Sequence, residues 1–292
     1  MRFLCLHGSG ASGAIFKSQT APFRAKLPCG EHEFDFIDAP HSSPAGPAIA
    51  PFFAPPYYSF LKSYQRDDVQ WTLDWLRRHI KAQSERYDAA LCFSQGCAVL
   101  ASLILNDNNE RPEEPPLFRA AMFICGGAPL PVLADLGFTV SAAAWELNDA
   151  TGKELWQRSN SLDEIVAARR AQNGHTGLGA GWSNGRTSDT GSYSVAECGV
   201  SEAGWITEIN SLEDVFGLDL TQLPSSWQIQ VPSVHVVGSQ DPRRPNGIQL
   251  AALSPPKQRL VYDHGGAHDI PRRTQVSQDL ATAVQWLSKH LE

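Results

Sequence analysis

The 292-residue sequence lacks several features that would place a protein in a functional class at once. None of its six cysteines forms a CxxC pair, so neither a zinc site nor a CxxC redox centre is predicted. It has no basic stripe, and its net charge of −7 makes nucleic acids and anionic membranes poor candidates for partners. Its longest apolar run, Cys97–Leu105, is far shorter than the roughly 20 residues of a membrane-spanning helix.

The sequence also lacks the features of a secretory signal. It reads as a strand from Arg2 to Leu6, and no small-residue cleavage site follows a hydrophobic segment. Four cysteines lie in apolar strand or helix contexts, where a reduced cysteine packs as a small hydrophobic side chain: Cys5, Cys92, Cys97 and Cys125. We therefore expect a cytoplasmic protein.

What the sequence does contain is an alternation of short apolar strands and helical patterns. The predicted strands are Arg2–Leu6, Glu33–Ile37, Ala89–Cys92, Ala120–Ile124, Ser233–Val237 and Arg259–Tyr262. The predicted helices are Ser12–Leu27, Asp67–Gln83, Gln95–Asn106 and Gln275–His290. This order is typical of an α/β fold, a mostly parallel sheet with helices on both faces. We predict one domain over residues 1–292, with its ligand site beyond the carboxyl ends of the strands.

Two stretches interrupt the alternation. Ala39–Tyr64 is rich in proline, phenylalanine and tyrosine. Residues 136–223 mix a helical segment, Ser161–Arg170, with a Gly/Ser/Asn tract at Asn173–Ser194. An unstructured loop of that length is rare inside a compact domain, so we predict an inserted cap or lid there. The aromatic residues of both stretches fit two roles, as the walls of an apolar acyl pocket or as the core of the cap itself.

The most informative segment is Cys92–Gly96, in which a short apolar strand turns through Ser94 into a long apolar helix. This pattern is typical of a nucleophile elbow, although the usual first glycine is Cys92 here. The helix N-terminus behind the serine favours developing negative charge. Ser94 also fits an ordinary helix N-cap. Cys92 and Cys97 are weaker candidates for the nucleophile, since only the helix N-terminus would lower their pKa.

A nucleophilic serine needs a base and an orienting acid, which in this kind of fold follow it in the order Asp or Glu, then His. Asp241 comes just after a predicted strand, and His268 lies in a Gly-rich loop after the next one. His264 competes for the role of base, but His268 is preferred because glycines precede it and a helix follows. Asp241 also fits a simple turn. The two histidines lack a third ligand, so no metal site is predicted.

The loop after the first strand supports two interpretations. As an oxyanion loop, it would present the amide of Ser9 or Gly10 beside that of Gln95. As the motif GxGxxG over Gly8–Gly13, with Asp38 ending the next strand, it matches a dinucleotide fingerprint. The dinucleotide interpretation leaves Ser94 and the other end of the chain unexplained.

Taken together, the motifs resemble those of the fungal serine hydrolase family of α/β-hydrolases. The resemblance rests on Leu4–Gly8 with Ser12 and Gly13, Asp38–His41, Phe93–Gly96, Gly238 with Asp241, and Gly266–Pro271. It implies a triad of Ser94, Asp241 and His268, and no cofactor. Two residues depart from the family pattern: Cys92 and Ala267 stand where glycine is usual. Members include esterases and stand-alone thioesterases that release acyl chains from polyketide synthases.

The resulting hypothesis is a serine hydrolase that acts on acyl thioesters or esters. The resemblance implies a role in releasing a polyketide or fatty-acyl chain, with an acyl-carrier domain of a polyketide synthase as a candidate partner. Three alternatives remain at this level. They are a carboxylesterase for small esters, an NAD(P)-dependent oxidoreductase using Gly8–Gly13, and a non-catalytic binding protein with a hydrolase fold.

Overall fold

A computed structural model describes residues 1–172, 198–200, 203–209, 211–221 and 223–291. Its strands are β1 (Arg2–Leu6), β2 (Glu33–Ile37), β3 (His41–Ser42), β4 (Tyr58–Ser59), β5 (Ala89–Phe93), β6 (Ala120–Ile124), β7 (Cys198–Val200), β8 (Trp205–Ile209), β9 (Ser233–Val237) and β10 (Arg259–Asp263). Its α-helices are α1 (Gly13–Arg24), α2 (Arg66–Lys81), α3 (Gln95–Glu110), α4 (Leu130–Asp135), α5 (Ala142–Gln172), α6 (Arg244–Ala252) and α7 (Thr274–Lys289).

The main sheet has eight strands among the described residues, in the order β2-β1-β5-β6-β9-β10-β8-β7. The first six run parallel, and β8 and β7 close one edge antiparallel. Every residue of β5, β6 and β9 is buried, which is why these strands read as continuous apolar runs. The sheet therefore has the α/β order that the sequence predicted, and the fold is that of an α/β-hydrolase.

Helices cover both faces of this sheet because successive strand residues point in opposite directions. Phe3 and Cys5 of β1 belong to a core cluster with α1 and α7, whereas Leu4 and Leu6 belong to one with α2, α3 and α6. The helix residues in the first cluster include Phe16, Phe23, Leu280 and Val284, and those in the second include Leu73, Leu76, Leu100, Leu103, Ile248 and Leu250. In the part of the chain that the model describes, no helix is both long and apolar enough to cross a bilayer.

The stretch at residues 136–223 differs from the prediction in two ways. Helix α5 runs from Ala142 to Gln172 and is much longer than the predicted Ser161–Arg170. Strand β8 pairs with β10 at the edge of the main sheet, and Val215 and Leu218 are completely buried in the main core. The described residues of 198–223 therefore include two strands of the main sheet and several residues of its core. The tract Asn173–Ser194 lies outside the described residues.

Candidate active site

Ser94 lies between β5 and α3 in a backbone conformation that few residues adopt. Its φ is 51° and its ψ is −113°, and a positive φ is uncommon for any residue with a Cβ. Its side chain makes no N-cap hydrogen bond to α3, so the ordinary N-cap interpretation does not describe this serine. The backbone is held by two bonds, from the Ser94 N–H to Ile124 O at 3.0 Å and from the Cys97 N–H to Ser94 O at 3.0 Å.

The residues that flank Ser94 allow this sharp turn for different reasons. A Cβ on Gly96 would lie 2.4 Å from Leu6 O, so only glycine lets α3 approach the end of β1 this closely. Cys92 instead packs inside the core with its Sγ–H directed at Met122 O, 3.3 Å away. The strand geometry accommodates a small side chain there. Burial raises the pKa of the Cys92 thiol, which argues against the alternative of a cysteine nucleophile.

The three residues predicted as a triad meet at the carboxyl ends of β5, β9 and β10. His268 Nε2 lies 2.9 Å from Ser94 Oγ, and His268 Nδ1 lies 2.7 Å from Asp241 Oδ2. A carboxylate only accepts hydrogen bonds, so the Nδ1 position carries the proton. Nε2 is then left to accept a proton from the serine hydroxyl.

Close approach of two loops holds this arrangement in place. A Cβ on Gly238 would lie 2.3 Å from Gly266 O, so the loop after β9 can lie against the loop after β10 only with glycine at position 238. The Gln240 N–H donates to the same Gly266 O at 3.0 Å. The loop with Asp241 and the loop with His268 are thereby joined by the backbone itself.

Asp241 is buried and ionised in this site. Burial alone would raise its pKa, but the charge and hydrogen bond of His268, with a bond from the Arg243 N–H at 2.8 Å, outweigh that effect. The net result is a pKa below the ordinary value for aspartate. The carboxylate can therefore orient and stabilise a protonated His268 at neutral pH.

His264, the competing base, lies elsewhere. Its ring is buried, with Nδ1 accepting from the Gly266 N–H at 3.1 Å and Nε2 3.5 Å from Cys125 Sγ. Burial lowers the pKa of His264. It is therefore a structural residue of the loop, and His268 is the histidine that reaches Ser94.

Cys125, Asp241 and His268 bring potential metal-ligand atoms within 4.8 Å of one another. Two of these groups already bond each other. Both ring nitrogens of His268 have partners in the triad, Nδ1 at Asp241 and Nε2 at Ser94, and Cys125 Sγ is directed at Asp269 O, 3.6 Å away. The donor set therefore does not fit a metal centre.

Not every backbone amide that was predicted for the oxyanion hole is free to bind a substrate oxygen. The Gly10 N–H donates to Tyr58 O at 2.9 Å and so has no proton for a substrate oxygen. Of the two residues predicted to supply the second oxyanion donor, Gly10 is therefore the wrong one. Ser9 and Gln95 both line the same cavity as Ser94. The side chain of Gln95 is fixed through Oε1, which accepts from the Phe60 N–H at 2.8 Å. Of the three predicted oxyanion residues, Gln95 and Ser9 remain candidates.

His7 fixes the loop that follows β1, a role that the sequence motifs did not predict. Its Nε2 lies 3.0 Å from the Ala39 N–H, which must donate, so the ring proton lies on Nδ1 and is donated to Gly8 O at 2.7 Å. Burial lowers the pKa of His7 and keeps the ring neutral. A histidine next to Gly8 was the only sign of this role in the sequence. Its hydrogen-bond partners, Gly8 O and the Ala39 N–H, are known only from the fold.

The glycines of Gly8–Gly13 serve chain packing rather than a dinucleotide. A Cβ on Gly10 would lie 1.9 Å from Gly46 N, so another backbone segment occupies the space beside the loop. The Gly13 N–H at the start of α1 donates to Asp38 Oδ1 at 2.8 Å. A pyrophosphate would need that helix N-terminus free, and Asp38 would repel it. The geometry does not fit the oxidoreductase alternative.

A cavity of about 1070 Å³ opens beside Ser94 and His268. Trp145 and Trp156 of α5 line it, as expected for the predicted cap. Tyr64 of the stretch Ala39–Tyr64 lines it as well, whereas the aromatic residues at 51–58 do not. Trp205 instead packs on Tyr262 of β10, with ring centroids 4.9 Å apart. Trp182 lies outside the described residues.

Comparison with known proteins identifies the family of this chain. Residues 1–280 match the family model described as serine hydrolase (FSH1). The chain is 23% identical to the esterase FPY3 of Fusarium mangiferae, over 98% of this chain and 95% of that protein. It is 24% identical to the esterase alnB of Emericella nidulans, over 99% and 97% of the two chains.

A third relative matches over a shorter region. The dihydromonacolin L-[lovastatin nonaketide synthase] thioesterase of Aspergillus terreus is 33% identical over 141 residues, which is 42% of this chain and 54% of that protein. The family match spans nearly the whole chain and includes every strand of the main sheet. The chain is therefore an enzyme that belongs to the FSH1 family of serine hydrolases.

Proposed function

We propose that this enzyme hydrolyses acyl thioesters or esters through an acyl-enzyme on Ser94. The observation that carries the proposal is the hydrogen-bonded series of Ser94, His268 and Asp241 at the wall of a large cavity. Ser94 is the nucleophile, His268 is the general base and acid, and Asp241 orients His268 and stabilises its cation.

The proposed reaction has two steps. In the first, Ser94 Oγ attacks the carbonyl carbon while its proton passes to His268 Nε2, and the oxyanion binds the amides of Gln95 and Ser9. The thiol or alcohol then leaves with that proton, and the acyl group stays on Ser94. In the second step His268 takes a proton from water and the hydroxide adds to the acyl carbon. The bond from that carbon to Ser94 Oγ then breaks, His268 returns the proton to Oγ, and the acid is released.

The cavity supports an extended acyl substrate. Its volume of about 1070 Å³ is at the upper end of the range for small-molecule sites. The thioesterase named for a lovastatin nonaketide synthase supports release of a polyketide or fatty-acyl chain from a carrier. The full-length relatives named esterases support the second candidate, hydrolysis of small carboxylic esters.

The test of the mechanism is covalent labelling by a fluorophosphonate, read by intact mass spectrometry. Wild type should gain one adduct, and Ser94→Ala should gain none and lose about 10³-fold or more in kcat on an activated ester. Ser288→Ala is the control, because Ser288 lies at the end of α7 and bonds Val284 O. Full turnover by Ser94→Ala would reject the mechanism.

A substrate panel separates the two candidates. N-acetylcysteamine thioesters and ethyl esters of the same acyl chains should be compared from two to twelve carbons. A higher kcat/KM for long-chain thioesters supports acyl-chain release, and a higher value for short oxygen esters supports the carboxylesterase. Adduct formation without turnover of either series would point to a binding protein with a hydrolase fold.

A further inference from the structure

Arg243 places a guanidinium in the wall of the cavity that contains Ser94. The residue follows β9 and lies two positions after Asp241, and its side chain reaches across to α5. Nη1 donates to Asn148 O at 2.8 Å and to Thr151 Oγ1 at 3.1 Å, and Nη2 donates to Asn148 Oδ1 at 3.0 Å. The position of this charge is therefore fixed by three hydrogen bonds.

All three acceptors are neutral. No carboxylate oxygen lies within 4.0 Å of the Arg243 guanidinium among the described residues. The Asp241 carboxylate binds His268 and the backbone N–H of Arg243, not its side chain. Asp149, the acid on the facing turn of α5, is exposed. The positive charge thus lacks the anion with which a guanidinium normally pairs.

The unpaired charge is partly withdrawn from water. Arg243 is half-buried, and burial lowers its pKa more than the charges of Tyr64, Asp241 and Asp149 raise it. Placing a charge in such surroundings without an opposite charge costs free energy. Three of the five N–H groups of the guanidinium are used, so Nε and one N–H of Nη2 remain. A planar carboxylate matches that edge with two parallel hydrogen bonds.

We infer that Arg243 binds a carboxylate carried by the substrate. The inference rests on the proposed hydrolysis at Ser94 and names its substrate class, which is thioesters or esters with a second, free carboxylate. Half-thioesters of dicarboxylic acids are the simplest members. Lys62 and Lys153 line the same cavity, as do Asp149 and Asp269, so with Arg243 the lining has three cationic and two acidic side chains.

The same contacts also join α5 to the loop that bears Asp241, so a purely structural role for Arg243 has to be distinguished. A structural role predicts that substitution lowers turnover of neutral and acidic substrates by the same factor. Carboxylate recognition predicts that the factor is much larger for the acidic substrate. The ratio of the two kcat/KM values is therefore the informative quantity.

The experiment compares glutaryl-N-acetylcysteamine with its terminal primary amide, a matched pair with the same length and a neutral leaving group. A second pair carries the carboxylate or amide on the alcohol part of an acetyl ester, which locates the recognised group. Wild type should favour one carboxylate by at least about tenfold, as expected for one charged hydrogen-bonded contact. Arg243→Met should abolish that preference, and Arg243→Lys should keep part of it.

Arg244→Met is the matched control, because Arg244 pairs with Asp263 at 3.3 Å and does not line the cavity. It should keep the wild-type ratio. Fluorophosphonate labelling of every variant reports separately on Ser94. If wild type is labelled but shows no preference in either pair, or if Arg243→Met keeps the preference, the inference is wrong while the proposed hydrolysis stands. Absence of labelling and turnover in wild type would reject both.

Discussion

Single side chains set the precision of this site, and His7 illustrates how. The ring has one donor and one acceptor, and both are used between Ala39 and Gly8. The loop that presents the Ser9 amide is thus attached to the segment after β2 by a group that stays uncharged. Orientation of this kind is valuable to an enzyme because displacement of an oxyanion donor by about 1 Å can cost about 10² in rate.

Replacing His7 with phenylalanine tests this role. Phenylalanine keeps an aromatic ring beside Phe60, whose ring centroid lies 4.9 Å from that of His7, but it removes both hydrogen bonds. We expect kcat to fall by about 10²-fold with little change in KM, because the loop moves relative to the transition state. Steady-state kinetics on an activated ester measures both constants. His290→Phe, at the exposed end of α7, should behave as wild type. An unchanged kcat in His7→Phe would contradict this role.

Some of these residues were predictable and others were not. Ser94, Asp241 and His268 each follow a short strand, and their order along the chain is the one that predicts a catalytic triad. Arg243 gave no such signal, because an arginine in a proline-flanked loop looks like a solvated surface residue. Its significance depends on Asn148, which is distant in sequence and comes close only because α5 packs against the loop that follows β9.

At the level of elements, the contact between α3 and the end of β1 determines the shape of the elbow. Gly96 is the point of closest approach, and a Cβ there would meet two backbone oxygens, at 2.4 Å from Leu6 O and 2.9 Å from His7 O. Backbone atoms of a buried strand cannot move aside as a flexible side chain can. The position of α3 is therefore coupled directly to the loop that follows β1, which is the proposed oxyanion loop.

Gly96→Ala should destabilise the protein by about 2–4 kcal/mol, because the added methyl forces the helix and strand apart. Urea unfolding measures the change, and slower fluorophosphonate labelling would report the displaced elbow. Gly152→Ala makes the same chemical change within α5, where the nearest atom to the new Cβ is 3.6 Å away. It should stabilise the protein by about 0.5–1 kcal/mol. Equal effects of the two substitutions would count against this account.

The elements that the sequence predicted best are those in which the pattern is strongly apolar. The six predicted strands agree with the structure to within one residue. Three of them, β5, β6 and β9, are buried along their whole length. Helix α5 was recognised only in part. Its first half contains Asn148, Thr151 and Gly152, which have weak helix propensity. Ala144 and Leu147 of the same half are buried, and this packing stabilises the helix where the helix propensity of the sequence is weak.

For the whole molecule, buried neutral histidines link stability to pH. His235 of β9 stacks on Phe123 at 4.9 Å, and burial lowers its pKa from 6.5 to about 3. The unfolded chain takes up a proton near pH 6.5, whereas the folded protein does so only near pH 3. Stability is therefore lost as the pH falls through that window. The burial of His7 and His264 acts in the same direction.

His235→Leu should reduce the loss of stability in acid. Between pH 7 and pH 5 the wild type should lose roughly 2 kcal/mol more of its unfolding free energy than the variant does. Ser233 and Ser254 keep a partner in the variant, because their hydroxyls lie 3.0 Å apart. Denaturant unfolding at several pH values measures the difference. Parallel pH profiles for the two proteins would show that His235 does not titrate as its burial requires.

The backbone at Ser94 has a consequence for how this enzyme can evolve. A positive φ at a residue with a Cβ costs about 1–3 kcal/mol, and glycine would adopt the same conformation at little cost. At position 94, selection for turnover and selection for stability therefore act in opposite directions. A lineage released from the need for catalysis would gain stability by mutation to glycine there, and would lose the proposed nucleophile in the same step.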